Sequence, residues 1–330
     1  MTGFRAAAPV RLDFAGGWTD VPPYSAREGG VVVAAAVQLH AYAEVMPRDA
    51  GYLLISKELG ASVEFESLAA LGGDGPLPLL RAGLRMLRPG PSLLVTRSDA
   101  PPGSGLGSSG AIDVALVAAL AAAVGRHCSV REIADLACKL EGAEAGIAGG
   151  RQDQFVAAFG GFLRLTFRDP DATVDPIAID PGFAAELERR LILCYTGASR
   201  FSGDTIGRVM RAYERGEPAI AGALDGLRRV AEEMTDAMRG ADFARIGTLL
   251  TENWRLQQVL DPGMSTPEMA RLEGAMHDAG VLGGKAAGSG AGGSMFFLGP
   301  DDPGEARKVV SRLGMRLLPV RWAPMGVRPC

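Results

Sequence analysis

The stretch PPGSGLGSSGA at 101–111 brings together residues that could hold an anion. It has glycines at 103, 105, 107 and 110, and Ser108 and Ser109 stand at the start of an alanine-rich run. A helix N-terminus carries unpaired N–H groups and a partial positive charge, which suits phosphate. Glycines let a backbone close around phosphate oxygens, and serine hydroxyls there can hydrogen-bond phosphate or reach magnesium. A glycine-rich turn capped by serine is the other reading these residues allow. A Walker loop is excluded, because GxxxxGK[ST] needs a lysine that is absent here. A dinucleotide fold would need an acid about 20 residues on, at a second strand end, and the alanine-rich run supplies none.

The elements that must position this loop can be read from periodicity. Val10–Phe14 alternates apolar and charged residues and stops at Gly16-Gly17. Val31–Val37 reads as a strand, which His40–Val45 continues or pairs with. Tyr52–Ile55, Ser62–Phe65 and Leu93–Val95 follow as short strands. Ala111–Val124 is a helix ending at Gly125. Ser129 and Glu132 form a capping box that starts the next helix, running towards Ala145. Phe162–Thr166 is a strand, and the polar 169–175 segment is a candidate boundary between two halves. Beyond it, Leu191–Tyr195 reads as a buried strand. Helices are predicted over Ser202–Arg215, Pro218–Met238, Asp242–Val259 and, after Thr266-Pro267, Glu268–His277. Met295–Leu298 is a strand, Glu305–Leu313 a helix and Arg316–Arg321 the last strand. The fold class expected is α+β in two lobes, 1–175 and 176–330.

Composition narrows the function classes. A chain of 330 residues, 47% hydrophobic and 22% charged, has material for a real core and for about two domains. Its 38 acidic and 34 basic residues leave a net charge of −4 and no basic-aromatic stripe, so no nucleic-acid partner is expected. Ala111–Val124, the longest apolar stretch, is broken by Asp113 and is shorter than the roughly 20 residues of a membrane span. Cys128, Cys138, Cys194 and Cys330 form no CxxC pair, which argues against zinc chemistry and a disulfide scaffold. The opening residues lack the apolar core of a secretory signal, so a cytoplasmic protein is expected. The 45 glycines are about twice the usual share of roughly 7%, and only four of the 34 basic residues are lysine.

The loop resembles the second motif of the GHMP kinases, the superfamily of galactokinase, homoserine kinase, mevalonate kinase and phosphomevalonate kinase. APVRLDFAGGWTDVP at 8–22 is similar to that family's first motif and KAAGSGAGG at 285–293 to its third, in the right order and at the right intervals. Galactokinases carry Glu-His where this chain has Gly17-Trp18. The GGWTDVPP form resembles fucokinases and D-glycero-D-manno-heptose 7-phosphate kinases. So do EGAEAGIAGGRQDQF at 141–155, CYTGASR at 194–200 and ENWRLQQVLDPGMSTPEM at 252–269, so the likeness covers nearly the whole chain. The length favours the heptose kinase branch. One departure is Gln257-Gln258, where that branch usually shows lysines, and it leaves open whether the substrate carries the same phosphate.

The resemblance implies a ribosomal protein S5 domain 2-like N-terminal lobe and a ferredoxin-like α/β C-terminal lobe. It implies transfer of the ATP γ-phosphate, with Mg2+, to a sugar hydroxyl, most directly the anomeric one. Asp153 matches the catalytic aspartate, orienting the hydroxyl and taking its proton late, since a carboxylate is a weak base towards an alcohol. Arg11 matches the arginine that neutralises charge beside it. Pro102, Gly103, Ser104, Gly105, Leu106, Gly107, Ser108 and Ser109, with Gly288 and Gly290, would surround ATP. Ser109 and Glu141 would hold the metal. Asp20, Thr19, Gly17, Trp18, Gly150, Thr196 and Arg200 would bind the substrate, a sugar or sugar phosphate. Taken as residues alone, Asp153 and Thr19 could each cap a turn, Glu141 could face solvent and Arg11 could sit at a strand edge. Trp18 could stack on a sugar or pack in the core, and Lys285 reads as structural. A homodimer is compatible with this reading. A sugar-binding regulator without catalysis is disfavoured by the presence of Asp153, Glu141 and Ser109 together.

Overall fold

The computed structural model describes residues 3–72, 75–197 and 204–330. The strands are β1 (Phe4–Ala15), β2 (Gly30–Pro47), β3 (Tyr52–Ser56), β4 (Ala61–Phe65), β5 (Ser92–Ser98), β6 (Phe162–Arg168), β7 (Asp171–Pro176), β8 (Leu191–Gly197), β9 (Gly283–Ala286), β10 (Gly293–Leu298), β11 (Arg316–Leu318) and β12 (Arg328–Pro329). The helices are α1 (Tyr24–Arg27), α2 (Pro78–Leu87), α3 (Ser108–Ala123), α4 (Val130–Lys139), α5 (Gln152–Phe159), α6 (Pro181–Arg190), α7 (Asp204–Glu214), α8 (Pro218–Arg239), α9 (Phe243–Leu260), α10 (Pro267–Asp278) and α11 (Gly304–Arg312).

Two sheets carry the molecule. The first has eight strands, built on the long β2, whose first half pairs with β6 and whose second half pairs with β5, while β1 runs antiparallel along its other edge. His40–Val45 is thus a continuation of Val31–Val37 within one strand. Val31–Val37 is buried at every residue, because α3 and α5 cover one face of the sheet there and α8 the other. From Gln38 onward burial alternates, the period of a strand with one face towards solvent. The second sheet has the order β11-β8-β10-β9, that is fourth, first, third, second, all antiparallel. This is the ferredoxin-like order, with α7 to α10 in the first crossover and α11 in the second. The molecule is α+β, as expected.

Three local expectations change. The candidate boundary at 169–175 holds a strand: Asp171–Pro176 forms β7, paired antiparallel with β6, and the chain leaves the first sheet after Pro176. The capping box at Ser129 forms, but α4 ends at Lys139 and a π-helical turn, Leu140–Glu144, takes over. The strand predicted over Arg316–Arg321 is only Arg316–Leu318 and is not the last, because the chain then returns to the first sheet, where Val37 bridges Trp322 and β12 pairs with β1. The first two residues of the helix predicted from Ser202 lie outside the described residues. Among the described residues no helix is long and apolar enough to cross a membrane.

Candidate active site

The N-terminus of α3 opens on a cavity of about 340 Å3 between the two sheets. Gly103, Gly105 and Gly107 all have positive φ, at 64°, 72° and 72°. The left-handed region strains residues with a Cβ, so the turn requires glycine at these positions. Gly107 is itself the N-cap and gives α3 no side-chain cap, which leaves the first N–H groups of the helix free for an anion. Ser104, Ser108 and Ser109 line the cavity, and the hydroxyls of Ser104 and Ser108 have no hydrogen-bond partner among the described residues. The third-motif loop closes against this turn: a Cβ on Gly288 would lie 2.6 Å from the Gly105 carbonyl oxygen.

Arg11 and Asp153 meet beneath the loop. Arg11, on β1 and only 6% exposed, donates from Nε to Asp153 Oδ1 at 2.8 Å. Its Nη1 donates to the carbonyls of Gly105, at 2.7 Å, and Ala287, at 2.8 Å, so one guanidinium joins the aspartate to both glycine loops. Asp153 stands in the first turn of α5, where the helix N-terminus favours a negative charge. A Cβ on Gly110 would come within 2.6 Å of Asp153 Cβ. The last glycine of the loop therefore makes room for the aspartate.

On the other side of Asp153 lies a wall of acceptors. Asp20 is 1% exposed and its Oδ2 accepts the Gln152 N–H at 3.0 Å. Burial, above all, pushes its carboxyl up to about 6; the Gln152 bond opposes this, and the charges of Asp153 and Asp13 add to it. Gly150 must be glycine, since a Cβ there would sit 2.0 Å from Asp20 Oδ2, and Gly17 likewise, since its Cβ would sit 2.2 Å from Asp13 Oδ2. Trp18 lines the cavity with positive φ and is otherwise packed in the core beside Val21 and Tyr24.

Such an arrangement joins a helix N-terminus suited to phosphate, an aspartate gripped by an arginine, and a pocket of carboxylates. Two family models match the chain, the GHMP kinases N terminal domain at residues 79–161 and the GHMP kinases C terminal at 234–315. The D-glycero-alpha-D-manno-heptose 7-phosphate kinase of Campylobacter jejuni is 32% identical over 306 residues, 90% of each chain. The chain belongs to the GHMP kinase family. A bifunctional fucokinase/GDP-fucose pyrophosphorylase of Arabidopsis thaliana is 27% identical over 90% of this chain, which spans 30% of that longer protein. The crystal structure of a D-glycero-D-manno-heptose 1-phosphate kinase from Bacteroides thetaiotaomicron superposes with a TM-score of 0.79 at 25% identity, covering 99% and 98% of the two chains.

GHMP kinases use ATP, and the residues of this GHMP kinase fit a magnesium ion beside it. Ser109 Oγ donates to Glu141 Oε1 at 2.8 Å, and Gln154 Nε2 donates to Oε2 at 2.5 Å. A hydroxyl and a carboxylate are hard oxygen donors, and magnesium completes its shell with phosphate oxygens and water. Burial raises the Glu141 carboxyl, against the hydrogen bonds from Ser109 and Gln154. The π-helical turn carries Glu141 into the cavity and leaves Glu144 out of it. One turn along α3 from Ser109, Asp113 is fully buried; burial, then the charges of Glu141 and Asp153, raise it well above the usual carboxylate range.

Not every residue of the three motifs faces the cavity of this GHMP kinase. Thr19 is fully buried; its hydroxyl lies 2.7 Å from the Gly16 carbonyl and accepts the Val31 N–H, so it builds the turn and does not reach a substrate. Thr196 donates to the Gly293 carbonyl at 2.9 Å across the second sheet and does not line the cavity. Leu106 is a core residue whose carbonyl accepts the Arg11 N–H. The Pro102 carbonyl accepts the Tyr195 hydroxyl, and Gly290 packs on Met264, where a Cβ would meet the carbonyl at 2.5 Å. Arg200 lies outside the described residues. Asp13, Gln152 and Ser289 line the cavity without having been singled out, and so does Gln257, noted only as a departure. For Asp13 a signal existed: it and Arg11 are the charged residues on one face of an alternating strand. Lys285 is structural as read: fully buried, its Nζ donates to the Asp13 carbonyl at 2.7 Å.

Proposed function

We propose that this kinase transfers the γ-phosphate of ATP to the anomeric (C1) hydroxyl of a heptose 7-phosphate or a related higher sugar phosphate. What carries the reading is the placing of Asp153, between the open N-terminus of α3 and the carboxyl of Asp20. In this reading the glycine loop holds the triphosphate and Asp20 orients the sugar. The C1 oxygen forms its bond to the γ-phosphorus as the bond to the β,γ-bridging oxygen breaks, and ADP leaves. Asp153 takes the hydroxyl proton late, and Arg11 keeps its carboxylate aimed at that oxygen. Magnesium held by Ser109 and Glu141 would neutralise charge on the phosphates. The Campylobacter relative, similar from end to end, supports the substrate class.

A second reading, a fucokinase-like kinase of an unphosphorylated deoxysugar, has an observation in its favour. Asp13, Asp20 and Asp153 line the cavity, and among the described residues lining it the only cation is Arg11, already engaged by Asp153. Carboxylates repel a sugar phosphate. Phosphorylation assays on paired free and phosphorylated sugars, with NMR of the products, test both. The leading reading expects turnover of the phosphorylated member and new phosphate on C1; phosphate on an exocyclic hydroxyl would sink it. Asp153→Asn should lower kcat by about 10²–10⁴-fold with little change in either KM. Because Asp20 protonates near pH 6, the KM for sugar should rise below that pH while the KM for ATP holds. A flat sugar KM down to about pH 5 would remove Asp20 from sugar binding.

A further inference from the structure

The unpartnered polar atoms around the cavity divide by chemistry. On the side of the glycine loop they are the hydroxyls of Ser104 and Ser108, which can donate to phosphate oxygens. On the opposite side they are acceptors only: Asp13 Oδ1, Asp20 Oδ1 and Gln152 Oε1, each buried and without a hydrogen-bond partner among the described residues. Buried acceptors left unpaired are unfavourable, and a ligand rich in hydroxyl donors relieves them. Asp20 was expected to bind sugar. Asp13 was not, and its setting is the more constrained of the two.

Asp13 follows Arg11 by two residues on β1, so both side chains leave the strand on the same face, and both line the cavity. Its carboxylate is held from the other lobe: Lys285 Nζ, on β9, lies 3.2 Å from Oδ2 and donates to the Asp13 carbonyl at 2.7 Å. Gly17 supplies the space, because any Cβ there would occupy the position of Oδ2. One oxygen is thus fixed by Lys285, and the other has no hydrogen-bond partner among the described residues.

We infer that Asp13 is a specificity-determining residue of the acceptor site, its Oδ1 accepting a hydrogen bond from a sugar hydroxyl other than the one phosphorylated. This rests on the sugar-kinase reading above and adds to it a second carboxylate, anchored across the lobes. A site built around a substrate hydroxyl rejects the analogue that lacks it far more strongly than a shape-selecting pocket does. The rival account makes Asp13 only the counter-ion of Lys285, and then no particular hydroxyl depends on it.

The experiment is a series of monodeoxy analogues of the sugar the enzyme turns over, run on wild type and on Asp13→Asn. Wild type should lose about 100-fold or more in kcat/KM on one analogue. Asp13→Asn should shrink that ratio to within about 5-fold while the KM for ATP stays put, since the interaction is counted only once in the cycle. Unchanged ratios for every analogue in Asp13→Asn would overturn the role of Asp13 and leave the sugar-kinase reading standing. Absence of turnover on any sugar by wild type would sink both. Should Asp13→Asn fold poorly because Lys285 is left unpaired, the double variant Asp13→Asn, Lys285→Met carries the same readout.

Discussion

The two glycine loops have nearly the same composition and share one reason for it, positive φ, while the second adds another. In the first, Gly103, Gly105 and Gly107 take positive φ and wrap the turn that exposes the N-terminus of α3. In the second, Gly290, Gly292 and Gly293 also take positive φ, whereas at Gly283, Gly284 and Gly288 another backbone or a packed ring lies where a Cβ would go. A Cβ on Gly283 would lie 1.8 Å from the Gly247 carbonyl on α9, and one on Gly284 would lie 2.2 Å from the Phe297 ring. The first loop shapes a cavity. The second mostly seals one sheet onto its neighbours, and touches the cavity only at Gly288 and Ser289. Arg11 bonds carbonyls of both and so couples them.

Substitutions separate the two roles. Gly283→Ala should have the largest effect: with no room against Gly247, α9 and β9 must part, at about 3 kcal/mol or more of stability. Chemical denaturation would measure it, and kcat per folded molecule should be retained; a fully stable Gly283→Ala would mean that the close approach is not needed. Gly288→Ala lies at the junction. Its Cβ would push on the Gly105 carbonyl, the oxygen Arg11 holds, so the KM for ATP should rise about tenfold with a stability loss of about 1–2 kcal/mol. Gly105→Ala should be mildest. Its Cβ would meet nothing nearer than Gly288 N at 3.5 Å, which leaves only the left-handed backbone to strain, about 1 kcal/mol. If Gly105→Ala proved worse than Gly288→Ala in ATP KM, conformation would matter more than the contact between loops.

Much of the site was legible in the residues. The glycine loop ahead of an alanine-rich helix, the capping box at Ser129 and the strand at Val10–Phe14 each follow from local rules, and each formed, although β1 is buried at every residue from Ala6 to Ala15. Motif matching brought Asp153, Arg11, Glu141, Ser109 and Asp20 to one cavity. It also swept in Thr19, Thr196 and Leu106, because a motif marks a segment and not the direction of each side chain in it. Thr19 points into its own turn and Leu106 into the core, while Thr196 faces its neighbouring strand. The strand inside the polar 169–175 segment was not legible for a related reason: polarity marks exposure, and an exposed edge strand such as β7 is as polar as a boundary segment.

What the sequence by itself determined is the family, through three motifs each short in the chain, and the order of most elements, through periodicity and caps, which are also local. Only the tertiary structure decided which polar atoms are left without partners, because pairing depends on residues hundreds of positions apart. Arg11 reaches Ala287, and Lys285 reaches Asp13. The same holds for the glycines: a positive φ is a property of one residue and its turn, but the carbonyl of Gly105 against Gly288 exists only once the two sheets have docked.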